Sequence, residues 1–391
     1  MVSRTHMLAN NYMKIGVPRE VVAGETRTAL IPPRAERLID DGHDVLVNEG
    51  GGDGAGWSSE RYHEIGCDVV PDRDEVFERA DIVLQVRGLG ASTEDGPDRY
   101  EEGQVVVGML GPYDLDEELE ELAARDVTAF ALELIPRISR AQRMDALSSM
   151  ASIGGYKATL VAAEALPKML PMQMTAAGTV QPAEIFVVGA GVAGLQAIAT
   201  AERLGASVRA YDIRPEVKEE VESLGAEFVE LDLEAEDASD EEGHAREQDE
   251  AFYRKQREMM HRVVGDSDVV ITTAAIPGRP SPKLVTEEMI EGMDAGSVIV
   301  DLAAAGGGNC EPTKADERIE FDGVTILGPT NLPATVSHHA SQLYSTNVTN
   351  FLDLIIANDE IMIDTTDEIV DATLLTTDGE VHIEREDEQH D

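Results

Sequence analysis

Cysteine is nearly missing from this chain: Cys67 and Cys310, far apart, are the only two in 391 residues. That excludes a disulfide scaffold and makes a reducing interior the expectation. Positive charge is short as well, and lysine is scarce among the basic residues. Lys+Arg 31 against Asp+Glu 77 leaves a formal charge of −46, a field that repels phosphate backbones and argues against a nucleic-acid partner. No apolar run approaches the ~18 residues of a spanning helix. Residues 1–12 lack the apolar core of a secretory signal, so the fold is expected to start at Met13. Zinc-ligand spacing is absent, and His338 and His339 are adjacent rather than on one helix face, so no metal is expected. There is no Walker A loop. Asn347-Val348-Thr349 is a glycosylation sequon in form only, since nothing points to secretion. What the chain does have is 42% hydrophobic residues. That excludes wholesale disorder, and the length suggests two or three domains of about 150 residues each.

The acidic residues are spread over every expected helix face. Glu117, Glu118, Glu120 and Glu121 form one example, and Glu216, Glu219, Glu220 and Glu222 another. At low salt this density destabilises a compact state by self-repulsion. Molar salt screens it, because the Debye length falls to about 3 Å at 1 M. The expectation is a cytosol of high ionic strength, that of a halophile. Residues 233–250 and 384–391 are more acidic still and read as a mobile loop and a solvated end.

Short β-branched runs alternate with helical stretches along the whole length. One set falls at 14–17, 44–48, 68–70, 82–86, 105–110 and 128–132. A second falls at 185–188, 208–212, 228–231, 269–273, 298–302 and 324–327. Such alternation implies βαβ units and parallel sheets. The fold class is α/β, two doubly wound, Rossmann-like domains with a cleft between them. Residues 13–140 with about 340–391 make the first domain, and 145–335 the second. Residues 145–165 read as one long helix interrupted only by Gly154-Gly155, and 341–358 as a helix returning to the first domain. Residues 171–182 read as a hairpin that needs something to pack on, such as a second subunit. Residues 361–383 show strand-like alternation around an Asp378-Gly379 turn.

Gly189-Ala190-Gly191-Val192-Ala193-Gly194 is a GxGxxG that follows a strand and opens an apolar helix. Asp212, ending the next strand, completes the dinucleotide fingerprint. Gly189 permits the tight turn, Gly191 admits the pyrophosphate, and Gly194 lets helix and strand close up. The pyrophosphate meets the helix N-terminus. Asp212 accepts from the ribose hydroxyls and repels a 2′-phosphate, which favours NAD over NADP. Arg214, two residues on, argues the other way, since a nearby Arg can welcome that phosphate.

Ligands of open α/β sheets lie outside the carboxyl ends of the strands, so Thr273, Ala274 and Ala275 are expected to line the site. The glycines of Gly306-Gly307-Gly308-Asn309-Cys310 suggest close backbone approach. Cys310 reads as a small buried residue, because no His neighbours it in sequence. The polar segment from Arg137 to Ser148 carries Arg140, Gln142, Arg143 and Asp145. On the residues alone two readings stand: a loop that meets a nicotinamide carboxamide and ribose, or a helix start capped by Asp145.

Taken together, these stretches resemble the soluble NAD-binding part of the alpha subunit of proton-translocating NAD(P) transhydrogenase. The resemblance runs from Met13 to about residue 356. It is carried by GVPREVVAGETR at 16–27, MTAAGTV at 174–180, the GxGxxG, RPEVKEEVESLGAEFVELD at 214–232, and above all the Arg-x-x-x-x-Gln-x-x-Asp loop with GGGNC. The resemblance implies that Arg137, Gln142, Asp145 and Ser148 contact the nicotinamide end of NAD(H), with Gln142 also positioning NADP(H) of a partner domain. It implies nucleotide contacts at Val192, Ile213 and Arg214, and at Gly243 in a mobile loop where the family's Tyr is replaced by His244. Alanine dehydrogenases share the fold and use a Lys and a His for proton transfer. Here those positions read Arg87 and Gly111, and no replacement base is found. Hydride transfer between two nicotinamides needs no base, which favours the transhydrogenase reading. That reading implies the split form of the subunit, a homodimer exchanging the 171–182 hairpin, with membrane-spanning and NADP-binding subunits on separate chains. Its place is peripheral, on the cytoplasmic face of the cell membrane. A free-standing alanine dehydrogenase-like enzyme and a non-catalytic NAD sensor are the alternatives.

Overall fold

The computed structural model describes residues 13–92, 95–230, 250–276, 278–357 and 360–382. The expected N-terminal extension, the acidic loop with Gly243 and His244, and the acidic tail lie outside the described residues. The chain divides into two units, Met1–Met150 with Pro333–Asp391, and Ala151–Leu332.

The first unit is built on an eight-stranded sheet. Six parallel strands lie side by side as Asp68–Val70, Asp44–Asn48, Lys14–Val17, Ile82–Arg87, Val105–Met109 and Thr128–Ala131. In chain order that is 3-2-1-4-5-6, a doubly wound sheet whose direction of growth reverses between the first and fourth strands. The central strands are buried along nearly their whole length, and mostly apolar, because helices cover both faces, as parallel sheets require. Two short antiparallel strands, Leu374–Thr377 and Glu380–Val381, extend the sheet beyond the sixth.

The second unit repeats the plan. Its parallel strands run Glu227–Phe228, Ser207–Tyr211, Glu184–Val188, Val269–Thr272, Val298–Asp301 and Val324–Leu327, again 3-2-1-4-5-6. The alternation of side chains sends Ile185, Val187, Val269 and Ile271 into one core and Phe186, Val188, Val270 and Ile299 into the other. Helix Val192–Arg203 contributes to the first core, and helix Glu250–Gly265 with Glu287–Glu291 to the second.

Both sheets exceed the six strands expected of each. Arg318–Phe321 is an addition to the expected set: it is an antiparallel edge strand, alternately exposed and half-buried, so it has no apolar run to announce it. The stretch 361–383 is not strand alone; Asp367 accepts from Ile369 N–H and starts the helix Glu368–Thr373. Gly154-Gly155 does not interrupt its helix, which runs Ala146–Ala165. A Cβ at Gly155 would collide with the Ala193 carbonyl, so the glycine serves close packing of two helices. The helix expected at 341–358 is Ser337–Ile355. The hairpin pairs Gln173–Thr175 with Gly178–Val180, and every residue in both strands is exposed.

Candidate nucleotide site

At the reversal point of the second sheet, the first strand ends at Val188 and the fourth at Thr272. Gly189 follows with φ +99, a left-handed conformation that suits glycine. A Cβ there would also sit 2.5 Å from Thr273 Oγ1. The helix begins at Val192, and a Cβ on Gly194 would collide with the Gly189 carbonyl. Around Gly191 nothing lies within 4 Å of such a Cβ, so the helix N-terminus opens onto free space. A helix N-terminus left open in this way suits a diphosphate.

Asp212 reaches back to it. Its Oδ2 accepts from Ala190 N–H at 2.7 Å. Arg214 donates to the same carboxylate three times: its backbone N–H to Oδ1 at 2.9 Å, Nε to Oδ1 at 3.0 Å and Nη2 to Oδ2 at 3.1 Å. Burial alone would raise this carboxyl, but the Arg214 and Ala190 bonds outweigh it and hold it below the usual carboxylate range. Arg214 is therefore occupied by Asp212 rather than turned outward as a phosphate receptor. Val192, Ile213 and Ile276, apolar residues following three neighbouring strands, are 45%, 60% and 50% exposed. Exposed apolar groups gathered at strand ends mark a surface that a planar apolar group can cover.

Thr273 and Ala274 are half-buried and Ala275 is exposed. Thr273 N–H bonds Val188 O at 2.9 Å and its Oγ1 bonds Gly189 O at 3.1 Å, tying the fourth strand end to the glycine turn. Both backbone groups of Ala274 are taken by Asn309, so they are turned to the protein itself. Cys310 is fully buried, and burial pushes its thiol up to about 12, which makes it inert.

The segment from Arg137 to Ser148 belongs to the first unit. Arg137, Arg140, Gln142 and Arg143 are exposed. Asp145 caps the long helix: Oδ1 accepts from Ser148 N–H at 2.7 Å and Oδ2 from Ser148 Oγ–H at 2.5 Å. The capping reading thus holds for Asp145. Three anchors fix the segment. Arg140 forms two 2.7 Å bonds with Asp367, holding that carboxyl down at about 2. Asn347 and Asn350 both donate to the Arg143 carbonyl, at 3.0 and 3.1 Å. Asn347 is the residue of the formal sequon, and it is buried.

The first sheet has its own reversal point, and it is filled. Glu20 Oε1 accepts from Val86 N–H at 2.6 Å and Oε2 from Arg87 N–H at 3.1 Å. Burial pushes this carboxyl up to about 8, against the pull of the two N–H groups. Arg87 lies beside Glu133, whose carboxyl is also raised by burial. The loop into which Gly111 falls is held by its N–H bond to Glu133 Oε1 at 2.8 Å. Glu20, Asn309 and Asn350 were given no role from the sequence: Glu20 and Asn309 stand inside segments that carry the resemblance, but nothing there marks which backbone groups they bond. Among the described residues, no group of three or more His, Cys, Asp or Glu is placed to hold a metal. His338 stacks on Trp57 at 4.8 Å, and its Nδ1 bonds Ala55 O.

Comparison with known proteins accounts for both halves. The profile described as "Alanine dehydrogenase/PNT, N-terminal domain" matches residues 16–154, and "Alanine dehydrogenase/PNT, C-terminal domain" matches 158–384. The chain is 44% identical over 373 residues to NAD(P) transhydrogenase subunit alpha of Cereibacter sphaeroides, covering 94% of this chain and 71% of that one. It is 42% identical over 375 residues to the first part of NAD(P) transhydrogenase subunit alpha of Rhodospirillum rubrum, covering 94% and 97%. Alanine dehydrogenase of Bacillus subtilis is 30% identical over 358 residues, covering 88% and 86%. Among solved structures, the transhydrogenase from Sinorhizobium meliloti superposes with TM-score 0.81 at 40% identity, covering 94% and 98%. The chain belongs to the alanine dehydrogenase/PNT family, and it stands with that family's NAD(P) transhydrogenase alpha subunits.

Proposed function

From that membership we propose that this chain is the NAD(H)-binding subunit of a proton-translocating NAD(P)⁺ transhydrogenase. It presents NADH for direct hydride transfer to NADP⁺ held by a partner subunit, and that transfer is coupled to proton movement. The observation that carries the reading is the open glycine cradle with Asp212 beside it. The residues fit a dinucleotide. The N-terminus of helix Val192–Arg203 receives the diphosphate, Asp212 accepts from the adenosine ribose, and Val192 and Ile213 cover the adenine. Arg214 leaves Asp212 or moves with it as the ribose enters. Thr273 and Ala275 border the path toward the nicotinamide, and the family resemblance assigns a further nucleotide contact to Gly243, which lies outside the described residues.

When bound, the dihydronicotinamide supplies the hydride. The chain's own task is to orient that ring and exclude water. Arg137 and Gln142 hold the nicotinamide end, while Asp145 fixes Ser148, whose lone pairs stay available to the ligand. Reacting carbons must be held about 3–3.5 Å apart, which is a demand for position rather than for acid or base. Arg87 and Gly111 stand where the related dehydrogenases use a Lys and a His for proton transfer, which favours nucleotide-to-nucleotide hydride transfer over amino-acid oxidation.

The exposed hairpin supports a homodimer. Met172, Met174 and Val180 are 55%, 77% and 45% exposed, and an isolated two-stranded hairpin is marginal in water. Among the described residues no helix is long and apolar enough to cross a membrane. Because the Rhodospirillum rubrum relative is named as the first part of the alpha subunit, the membrane-spanning and NADP-binding parts are proposed to lie on separate chains, with this subunit peripheral on the cytoplasmic face. The charge of −46 supports operation in molar salt.

The test is reduction of a spectrally distinct NAD analogue by NADPH, in molar KCl, by this chain alone and then with the partner membrane subunits. Turnover in the mixture alone supports the reading. No turnover with demonstrably active partners, or rapid NADH formation from alanine by the isolated chain, overturns it.

A further inference from the structure

The ladder between the fourth and fifth strands of the second unit pairs Val269–Thr272 with Val298–Asp301, and its last rung is Leu302 N–H to Thr272 O at 2.9 Å. Beyond it Ala274 has no strand neighbour, yet both its backbone groups are satisfied. Asn309 Oδ1 accepts from Ala274 N–H at 3.0 Å, and Asn309 Nδ2 donates to Ala274 O at 2.7 Å. The carboxamide thus replaces the missing strand residue with a closed pair of bonds. The same Nδ2 donates to Pro282 O at 2.9 Å. The Asn309 carbonyl accepts from Leu284 N–H and Val285 N–H at 2.8 and 3.0 Å.

Asn309 is fully buried, as is Asp301, which secures it. Asp301 Oδ1 accepts from Ala303 N–H and Oδ2 from Cys310 N–H, both at 3.0 Å. The glycine-rich segment before Asn309 is therefore a brace turned inward onto Asp301. Its glycines let backbone pass close to protein: a Cβ at Gly308 would meet Asp301 Oδ2 at 2.6 Å.

We infer that Asn309 is the positioning residue of the nucleotide site: by holding Ala274 through main-chain bonds, it sets how Thr273 and Ala275 face the dinucleotide. The inference rests on the nucleotide-binding reading above. Asn309 touches no ligand itself. A donor and an acceptor on one planar group are both needed, and only a carboxamide of this length supplies them here.

The experiment compares wild type with Asn309→Asp and Asn309→Ser, reading NADH affinity and amide exchange in 273–276. In wild type, the Ala274 amide exchanges as slowly as those of strand 269–272. Asn309→Asp keeps the shape but turns an acceptor toward two carbonyls. NADH affinity falls about tenfold or more at pH 8, and exchange in 273–276 rises while 184–188 and 207–211 stay protected. Lowering the pH toward 5 restores a donor and narrows the loss, with exchange falling again in 273–276 alone, a local response that a general loss of stability does not give. Asn309→Ser, which folds without a new charge, weakens NADH binding at every pH. A wild-type Ala274 amide as labile as exposed loops overturns the inference. So does unchanged NADH affinity in a variant whose 273–276 exchange has risen. Failure of wild type to bind NADH overturns the underlying reading together with this one, so the two failures are distinct.

Discussion

The two sheets have the same strand order and opposite reversal points. In the second unit the first strand runs straight into Gly189–Gly194 and a helix whose N-terminus is left open. In the first unit the corresponding strand, Lys14–Val17, is followed by Pro18-Arg19-Glu20, and no helix starts before Pro32. There is no helix N-terminus at that point to attract an anion, and the Glu20 carboxyl bonds the two N–H groups that a ligand would use. Topology creates a crevice in both units. A few residues after the first strand decide whether it takes a ligand or is filled by the protein itself.

The largest break in this comparison comes from Gly194→Ala. Its Cβ meets a backbone carbonyl that cannot move without opening the glycine turn. We expect a loss of about 2–4 kcal/mol in stability and no measurable NADH binding. The control is Gly16→Ala in the first strand of the other sheet. There the new Cβ meets Ala80 Cβ at 2.6 Å, Val76 Cγ1 at 2.8 Å and the Val76 carbonyl at 3.3 Å, so the end of helix Arg73–Arg79 must give way, far from the glycine turn in sequence. It should cost about 1–2 kcal/mol and leave NADH affinity intact in the folded protein. Equal loss of NADH binding in both variants would show that the turn has no special standing.

Glu20→Gln tests the filled crevice. Burial raises the folded carboxyl from 4.5 to about 8, so the folded state holds a proton that the unfolded chain releases. The stabilisation is fully present below about pH 4.5 and is lost as the pH rises toward about 8. Urea titrations should show wild type losing about 1–3 kcal/mol relative to Glu20→Gln across that window, since Gln stays neutral throughout. Parallel pH profiles for the two proteins would remove the claim.

Asp212→Ala addresses the open crevice with a smaller effect. NADH binding should weaken about tenfold, ~1.4 kcal/mol. Arg214, released from the carboxylate it now bonds three times, should narrow the gap to NADPH. An unchanged preference between the two nucleotides in binding titrations would refute the ribose assignment.

Much of the frame was readable because it rests on local physics. Short runs rich in β-branched apolar residues mark strands, so 14–17, 44–48, 68–70 and 324–327 could be located to the residue. The glycine motif was readable because its neighbours in sequence are its neighbours in space. Arg318–Phe321 was not, because an edge strand with one exposed face alternates like a loop. The mutual bonding of Asp212 and Arg214 could be suspected from their spacing, but not its outcome: the same two residues could equally face apart. Glu20, Asn309 and Asn350 act over long sequence distances on backbone atoms. Asn350 bonds a carbonyl 207 residues earlier, and nothing in residue types records that.

The smallest effect concerns how the loop of the first unit is held. The Arg140–Asp367 pair is exposed, with side chains 49% and 23% accessible, so salt screens it. The Asn347 and Asn350 amides bond an uncharged carbonyl, which salt does not screen. If Gln142 must be held in place for hydride transfer, the two kinds of anchor should separate with ionic strength. Arg140→Ala should slow single-turnover transfer at low salt and be nearly silent in molar KCl. Asn350→Ala removes one hydrogen bond worth about 0.5–1.5 kcal/mol. It should slow transfer a few-fold at both salt levels, with NADH affinity unchanged. A chain with 77 acidic residues has good reason to rest its alignment on neutral amides. Equal salt dependence of the two variants would count against that division of labour.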